Sequence, residues 1–162
     1  MKIAFSGAQG TGKTYSTLEK AKELKIKHPN KIVCVLSENA INCPLPINQE
    51  ATFKSQLWIF ADQLRKEIEM SCKFDILVCD RAIFDAIAYT WRIDPKLGNY
   101  MLGIGQRILN TYTTIYFKRA KTNNYVIDDG LRDTDVNFRE EIDKILEDIY
   151  YRKLKATNVI EV

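Results

Sequence analysis

Residues 7–14 read Gly7-Ala8-Gln9-Gly10-Thr11-Gly12-Lys13-Thr14 and match G-x-x-x-x-G-K-[ST] in full. The spacing has a chemical purpose. Gly7, Gly10 and Gly12 let the backbone wrap so that its N–H groups, with Thr11 in the same loop, face nucleotide phosphates. Lys13 reaches the β- and γ-phosphates, and the Thr14 hydroxyl is placed to ligate Mg²⁺. A helix that opens at this point adds its positive dipole end. The bland alternative is a chance glycine-rich turn. An apolar strand run before the motif and a helical run after it favour phosphate binding. G-x-G-x-x-G is absent here, so this is not a dinucleotide fingerprint.

Such a loop needs a metal partner and groups that handle the reacting atoms. Asp80 follows the apolar run Phe74–Cys79 and has the form of an acid that holds Mg²⁺ directly or through water. Its alternative is a helix cap. Glu38 follows the run Lys31–Leu36 and Ser37, where it could accept a proton from a substrate hydroxyl or hold the metal. Its alternative is a loop carboxylate facing water. Arg81, next to Asp80, could stabilise the charge of a transferring phosphoryl group. Arg132 could do the same from Asp128-Asp129-Gly130-Leu131-Arg132-Asp133, if that polar stretch closes as a lid over ATP. A solvated loop is the competing reading, and Arg119 and Arg139 are alternative lid arginines.

These groups need a scaffold, and the patterning supplies one. Lys2–Ser6, Lys31–Leu36, Phe74–Cys79, Thr113–Phe117 and Asn158–Val162 read as short strands. Lys13–Ile26 reads as a helix with Tyr15, Leu18, Ala21 and Leu24 at spacing three. Asn42–Asn48, with Pro44 and Pro46, reads as a loop. Gln49–Ser71 reads as a long helix with Phe53, Leu57, Phe60, Leu64 and Ile68 on one apolar face. Residues 81–91 and about 99–110 look helical. Val136–Leu154 reads as a helix with Phe138, Ile142, Ile145, Ile149 and Tyr150 inward. Alternation of strand and helix predicts an α/β fold, a three-layer α/β/α sandwich on a five-stranded parallel sheet. Ligands of such sheets bind beyond the carboxyl ends of the strands, where Glu38 and Asp80 fall.

Composition narrows the classes. The 162 residues suit one domain spanning 1–162, with the lid around 119–135. Hydrophobic residues make up 46% and charged residues 28%, which argues against disorder. A net charge of +3 is too mild to argue for nucleic acid by itself. No apolar run is long enough to span a membrane and the N-terminus does not read as a signal peptide, so a soluble, cytoplasmic protein is expected. Cys34, Cys43, Cys72 and Cys79 have no C-x-x-C spacing, and His28 is the only histidine, so neither a zinc site nor a histidine-based hydrolase is expected. A GTPase switch would need N-K-x-D, which does not occur. A helicase or AAA-type machine would need more length, a second subdomain and sensor arginines. A nucleotide-hydrolysing ATPase or switch stays as the rival of another class.

Taken together, the phosphate loop after strand one, the acid after strand two, Asp80-Arg81 after strand three and the arginine-bearing stretch before the last helix resemble the P-loop nucleoside and nucleotide kinases. These include thymidylate kinases, deoxynucleoside kinases and nicotinamide riboside kinase domains. Phe84-Asp85-Ala86-Ile87-Ala88-Tyr89 and Asp129-Gly130-Leu131-Arg132 are similar to the nicotinamide-riboside-kinase-like branch. The resemblance implies an ATP- and Mg²⁺-dependent phosphotransferase acting on a nucleoside or nucleoside monophosphate. It implies Lys13, Glu38, Arg81 and Arg132 as catalytic residues, with Glu38 and Arg81 also touching substrate. Several such kinases carry an arginine two or three residues after the glutamate, where this chain has Ala40 and Ile41. The substrate pocket would lie between the Pro44–Asn48 loop, the Gln49–Ser71 helix and the helix after Arg81. Gln56 could hydrogen-bond a base edge there. Phe53 or Trp58 could stack on a base and Tyr89 or Trp91 could close the pocket, although core packing is the better reading of any one aromatic. A related phage-type reading has the enzyme phosphorylate hydroxymethylated pyrimidines in DNA, using scattered basic residues such as Lys54, Arg65, Lys66, Arg92, Lys96, Arg107, Lys118, Arg119 and Lys121. The acceptor and the oligomeric state, a homodimer among the options, stay open at this level.

Overall fold

A computed structural model describes residues 1–120 and 135–162. Five strands, β1 (Lys2–Ser6), β2 (Val33–Leu36), β3 (Ile76–Asp80), β4 (Thr114–Phe117) and β5 (Val159–Glu161), form one sheet in the order β2-β3-β1-β4-β5. Every neighbouring pair is parallel. The central strands β1 and β3 are buried along their whole length, as the near-continuous apolar runs Lys2–Ser6 and Ile76–Asp80 require of strands covered on both faces. Asp80 is therefore the last residue of β3 rather than the residue after it, and it pairs in register with Phe5.

Helix α1 (Lys13–Lys27) covers one face, packing Ala21 and Leu24 on Ile3, Phe5, Ile76 and Val78. The other face carries α2 (Phe53–Lys73), α3 (Ile83–Ile93), α4 (Pro95–Ile108) and α5 (Val136–Glu147). There Ala4, Leu77, Cys79, Ile115 and Phe117 share one core with Phe60, Phe84, Ile87, Ile142 and Ile149. Each large side chain of this kind contributes roughly 1.5–3 kcal/mol when fully buried. The expected three-layer α/β/α sandwich is thus present, with unequal outer layers.

Local chemistry explains where boundaries differ from expectation. The second long helix begins at Phe53, not Gln49, because Thr52 and Ser55 form a reciprocal capping box. Asn48–Glu50 make a separate 3-10 turn. Asp94 accepts a hydrogen bond from Leu97 N with Pro95 in the first turn, so α4 starts several residues earlier than the periodicity indicates. The last helix changes to a π-helical segment at Asp148–Lys153, which still buries Ile149 and Tyr150.

Two expected apolar stripes are corrected. On α1, Tyr15 and Leu18 are exposed, and Lys13 and Thr17 are buried with Ala21 and Leu24. On α2, Phe53, Leu57 and Ile68 are 49%, 45% and 58% exposed, whereas Ser55, Gln56, Gln63 and Glu67 are buried beside Ile59 and Phe60. The inward face of α2 is polar because it meets a cavity at one end and a buried ion pair at the other.

Candidate functional site

The phosphate loop joins β1 to α1, and its glycines adopt the conformations that the motif demands. Gly7, Gly10 and Gly12 all have positive φ. Gly7 has a second reason to lack a side chain, since a Cβ there would overlap the Lys118 carbonyl oxygen. Lys13 is buried, with Nζ donating to Ala8 O at 2.6 Å and to Thr11 Oγ1 at 3.4 Å. Burial, followed by the charge of Arg81, pushes its pKa down to about 7.

At the start of α1 the Thr14 hydroxyl donates to Asp80 Oδ2 at 2.6 Å. Asp80 is 3% exposed, and its Oδ1 is buried with no hydrogen bond among the described residues. A carboxylate in that condition is costly unless something else satisfies it. A divalent cation fits the donor set, a hydroxyl and a carboxylate oxygen beside a phosphate-binding loop.

Glu38 lies just past the end of β2 and Arg81 just past the end of β3. Arg81 Nε donates to Glu38 Oε1 at 2.6 Å and its NH1 lies 3.4 Å from Asp85 Oδ1. Burial works against the Arg81 charge, but Glu38, Tyr89 and Asp85 outweigh it and hold the pKa well above the ordinary value. Asp85, on the first turn of α3, accepts from Gly7 N at 3.0 Å and from Ala82 N at 2.9 Å. Burial raises its pKa against the opposing pull of Arg81. One buried carboxylate thus ties the phosphate loop to the arginine.

These groups open on a cavity of about 290 Å³. Ile47, Asn48, Gln56, Ile59, Ala86 and Tyr89 line it together with Thr14, Glu38, Asp80, Arg81 and Asp85. The cavity lies between the loop before α2, α2 itself and the helix after Arg81, the three elements between which a substrate pocket is expected. Gln56 is buried on the cavity side of α2. Of the four aromatic candidates Tyr89 lines the cavity, and Phe53, Trp58 and Trp91 do not. Tyr89 OH donates to Gln9 Oε1 at 2.7 Å, and the buried Gln9 Nε2 has no hydrogen-bond partner among the described residues. The sequence patterns assign no role to Gln9 or Asp85. An acid four residues after Arg81 at a helix N-terminus was the available signal for Asp85.

Neither alternative lid arginine, Arg119 or Arg139, lines this cavity. Arg132, with Asp129-Gly130-Leu131 and most of the expected lid, lies outside the described residues. Arg119 is held by Asp143, Glu147 and Glu161 at 2.8, 3.1 and 3.3 Å, which fastens β4 to α5 and β5. Arg139 is buried on α5.

Residues 2–162 match the family described as AAA domain. The chain belongs to that family. No curated protein matches it. Among solved structures, the thymidylate kinase from Ehrlichia chaffeensis is similar over 100% of this chain and 91% of that one, at 20% identity and a TM-score of 0.70. The deoxyadenosine kinase from M. mycoides with bound dATP covers 100% and 90%, at 15% identity and a TM-score of 0.62. The same enzyme with products dCMP and a flexible dCDP gives 16% identity and a TM-score of 0.64, covering 100% and 89%. This member of the AAA domain family therefore has the fold of P-loop nucleoside and nucleotide kinases. The choice between transferase and nucleotide-driven machine rests on the chemistry of the site. Among the described residues no helix is long and apolar enough to cross a membrane.

Proposed function

We propose that the protein transfers the γ-phosphoryl group of ATP to a hydroxyl of a nucleoside-type acceptor. The observation that carries this reading is the Glu38–Arg81 pair at 2.6 Å, facing the same cavity as Thr14 and Asp80. An ATPase can turn a base and a guanidinium on water, but it has no use for a walled, largely apolar pocket beside them. The similar folds named thymidylate kinase and deoxyadenosine kinase support the same class.

Each residue has a task in this reading. The loop N–H groups and Lys13 hold the phosphates. Thr14 and Asp80 would hold Mg²⁺, which when bound neutralises phosphate charge. Glu38 takes the proton from the acceptor hydroxyl as its oxygen bonds to phosphorus and the bond to the departing ADP oxygen breaks. Arg81 donates to the phosphoryl oxygens, where charge accumulates. Gln56 reads a polar edge of the acceptor while Ile47 and Ile59 pack on its flat faces.

Charge favours a neutral acceptor over a monophosphate. Glu38, Asp80 and Asp85 oppose the lone Arg81 among the described cavity-lining residues, and Ala40 and Ile41 stand where a further arginine would bind phosphate. The DNA reading comes second. Arg65 and Lys66 are paired with Asp62 and Arg92 with Glu141, which removes much of the basic surface that it needs.

The test is γ-labelled ATP with Mg²⁺ and pooled acceptors: nucleosides, nucleoside monophosphates, nicotinamide riboside, and DNA with plain or hydroxymethylated pyrimidines. Label on a neutral nucleoside is the expected result. Label on DNA alone transfers the proposal to the second reading, and label released only as phosphate sinks the kinase assignment.

A further inference from the structure

Arg81 has φ +93°, a conformation that a non-glycine residue keeps only when its surroundings hold it there. Its N–H donates to Phe5 O at 3.0 Å. Its carbonyl oxygen accepts from Gln63 Nε2 at 3.2 Å. Gln63 lies on α2, 2% exposed and outside the cavity walls. The other hydrogen of the same amide goes to Glu67 Oε1 at 2.9 Å. Glu67 is anchored in turn, with Oε2 accepting from Lys2 Nζ at 2.9 Å and Tyr112 OH at 2.6 Å. The amide orientation follows, since its two N–H donors meet two acceptors and a flipped amide would set oxygen against both. Gln63 stands two turns along α2 from Gln56, so the polar face of one helix runs from the cavity wall to the back of Arg81.

We infer that Gln63 is a positioning residue for phosphoryl transfer: its amide, anchored on the buried Glu67, captures the Arg81 carbonyl and so fixes the guanidinium between Glu38 and Asp85. This rests on the proposed role of Arg81. The residue type is specific to the task. Glutamate at 63 would offer at most one proton for two acceptors, and methionine would offer none.

Gln63→Met and the shape-preserving Gln63→Glu are compared with wild type in the full chain. With the acceptor that takes label in the pooled assay, kcat is expected to fall about ten-fold or more in both, because small misplacements of a charged group are costly in transfer reactions. KM for ATP should stay within about two-fold, since the phosphate loop is untouched. In an Arg81→Ala background Gln63→Met should change kcat less than about two-fold, as expected of a residue acting through Arg81. A second readout needs no acceptor. The ¹⁵N–¹H signal of Arg81 Nε, identified by its loss in Arg81→Lys, should exchange with water at least about ten-fold faster in the Gln63 variants, because the Glu38 bond that protects it loosens. A lowered Tm with unchanged kcat and unchanged exchange would make Gln63 structural only and overturn the inference. So would an equal loss of kcat in the Arg81→Ala background. If wild type labels no acceptor, the proposed function fails by itself, and the exchange measurement still decides whether Gln63 positions Arg81.

Discussion

A lysine at the phosphate loop whose pKa lies near 7 makes nucleotide binding a proton-linked event. At pH 8 much of Lys13 is neutral in the free protein, and a bound polyphosphate favours its charged form. Binding of Mg-ATP at pH 8 should therefore take up a proton, and at pH 6 almost none. Calorimetry in buffers of different ionisation enthalpy measures this directly, and Lys13→Met should abolish the buffer dependence. The sign for folding follows from the same depressed value. Between pH 7 and the unfolded value of 10.5 the unfolded chain binds the extra proton, so this group's contribution to stability rises with pH across that window and is lost as pH falls through 7. Asp80 acts at the same scale. Its orphaned Oδ1 is the atom that a metal would satisfy. Asp80→Asn should lower Mg²⁺-dependent transfer by at least the roughly 10–100-fold that outer-shell partners cost at metal sites. Retention of full activity across a magnesium titration would refute the metal role.

Among the elements, the strand and phosphate loop over residues 2–14 are the most legible from sequence, and α2 the least. The phosphate loop is local: its glycines, lysine and threonine are consecutive, so spacing alone reports their geometry. Gly7 carries the sharpest test. Gly7→Ala introduces a Cβ into the Lys118 carbonyl and strains a positive φ, so the loop and the end of β4 must separate. A loss of roughly 1–3 kcal/mol in stability is expected, with weaker ATP binding, from chemical denaturation and titration of one preparation. Helix α2 misled because periodicity counts apolar residues and assumes that they face inward. Phe53, Leu57 and Ile68 face outward, while Gln56, Gln63 and Glu67 take the interior positions. Polar side chains at such positions are affordable only with partners, and their partners are distant in sequence.

For the whole molecule, the order β2-β3-β1-β4-β5 sets β1 between β3 and β4, so the phosphate loop emerges beside Asp80 and Arg81. The same centre is closed at its other end by the buried Lys2–Glu67 pair, at 2.9 Å. Removing one partner leaves a buried charge only partly compensated by Tyr112 and Gln63. Lys2→Met should therefore destabilise the fold by about 3–5 kcal/mol, read as a lower midpoint in urea at unchanged m-value. A midpoint within error of wild type would show that Tyr112 and Gln63 suffice for Glu67.

Sequence by itself determined the phosphate loop, the alternation of strands and helices, and the candidate pair Glu38 and Arg81 with Asp80 at strand ends. Each of these is written in neighbouring residues, through backbone freedom, side-chain period or position at the end of an apolar run. Tertiary structure alone decided that Glu38 and Arg81 bond to each other, that Asp85 binds the phosphate loop and that Gln63 holds Arg81 from behind. Those contacts join residues 43, 78 and 18 positions apart. Their partners are chosen by sheet order and helix packing, and no local pattern encodes which distant group will satisfy a buried polar atom.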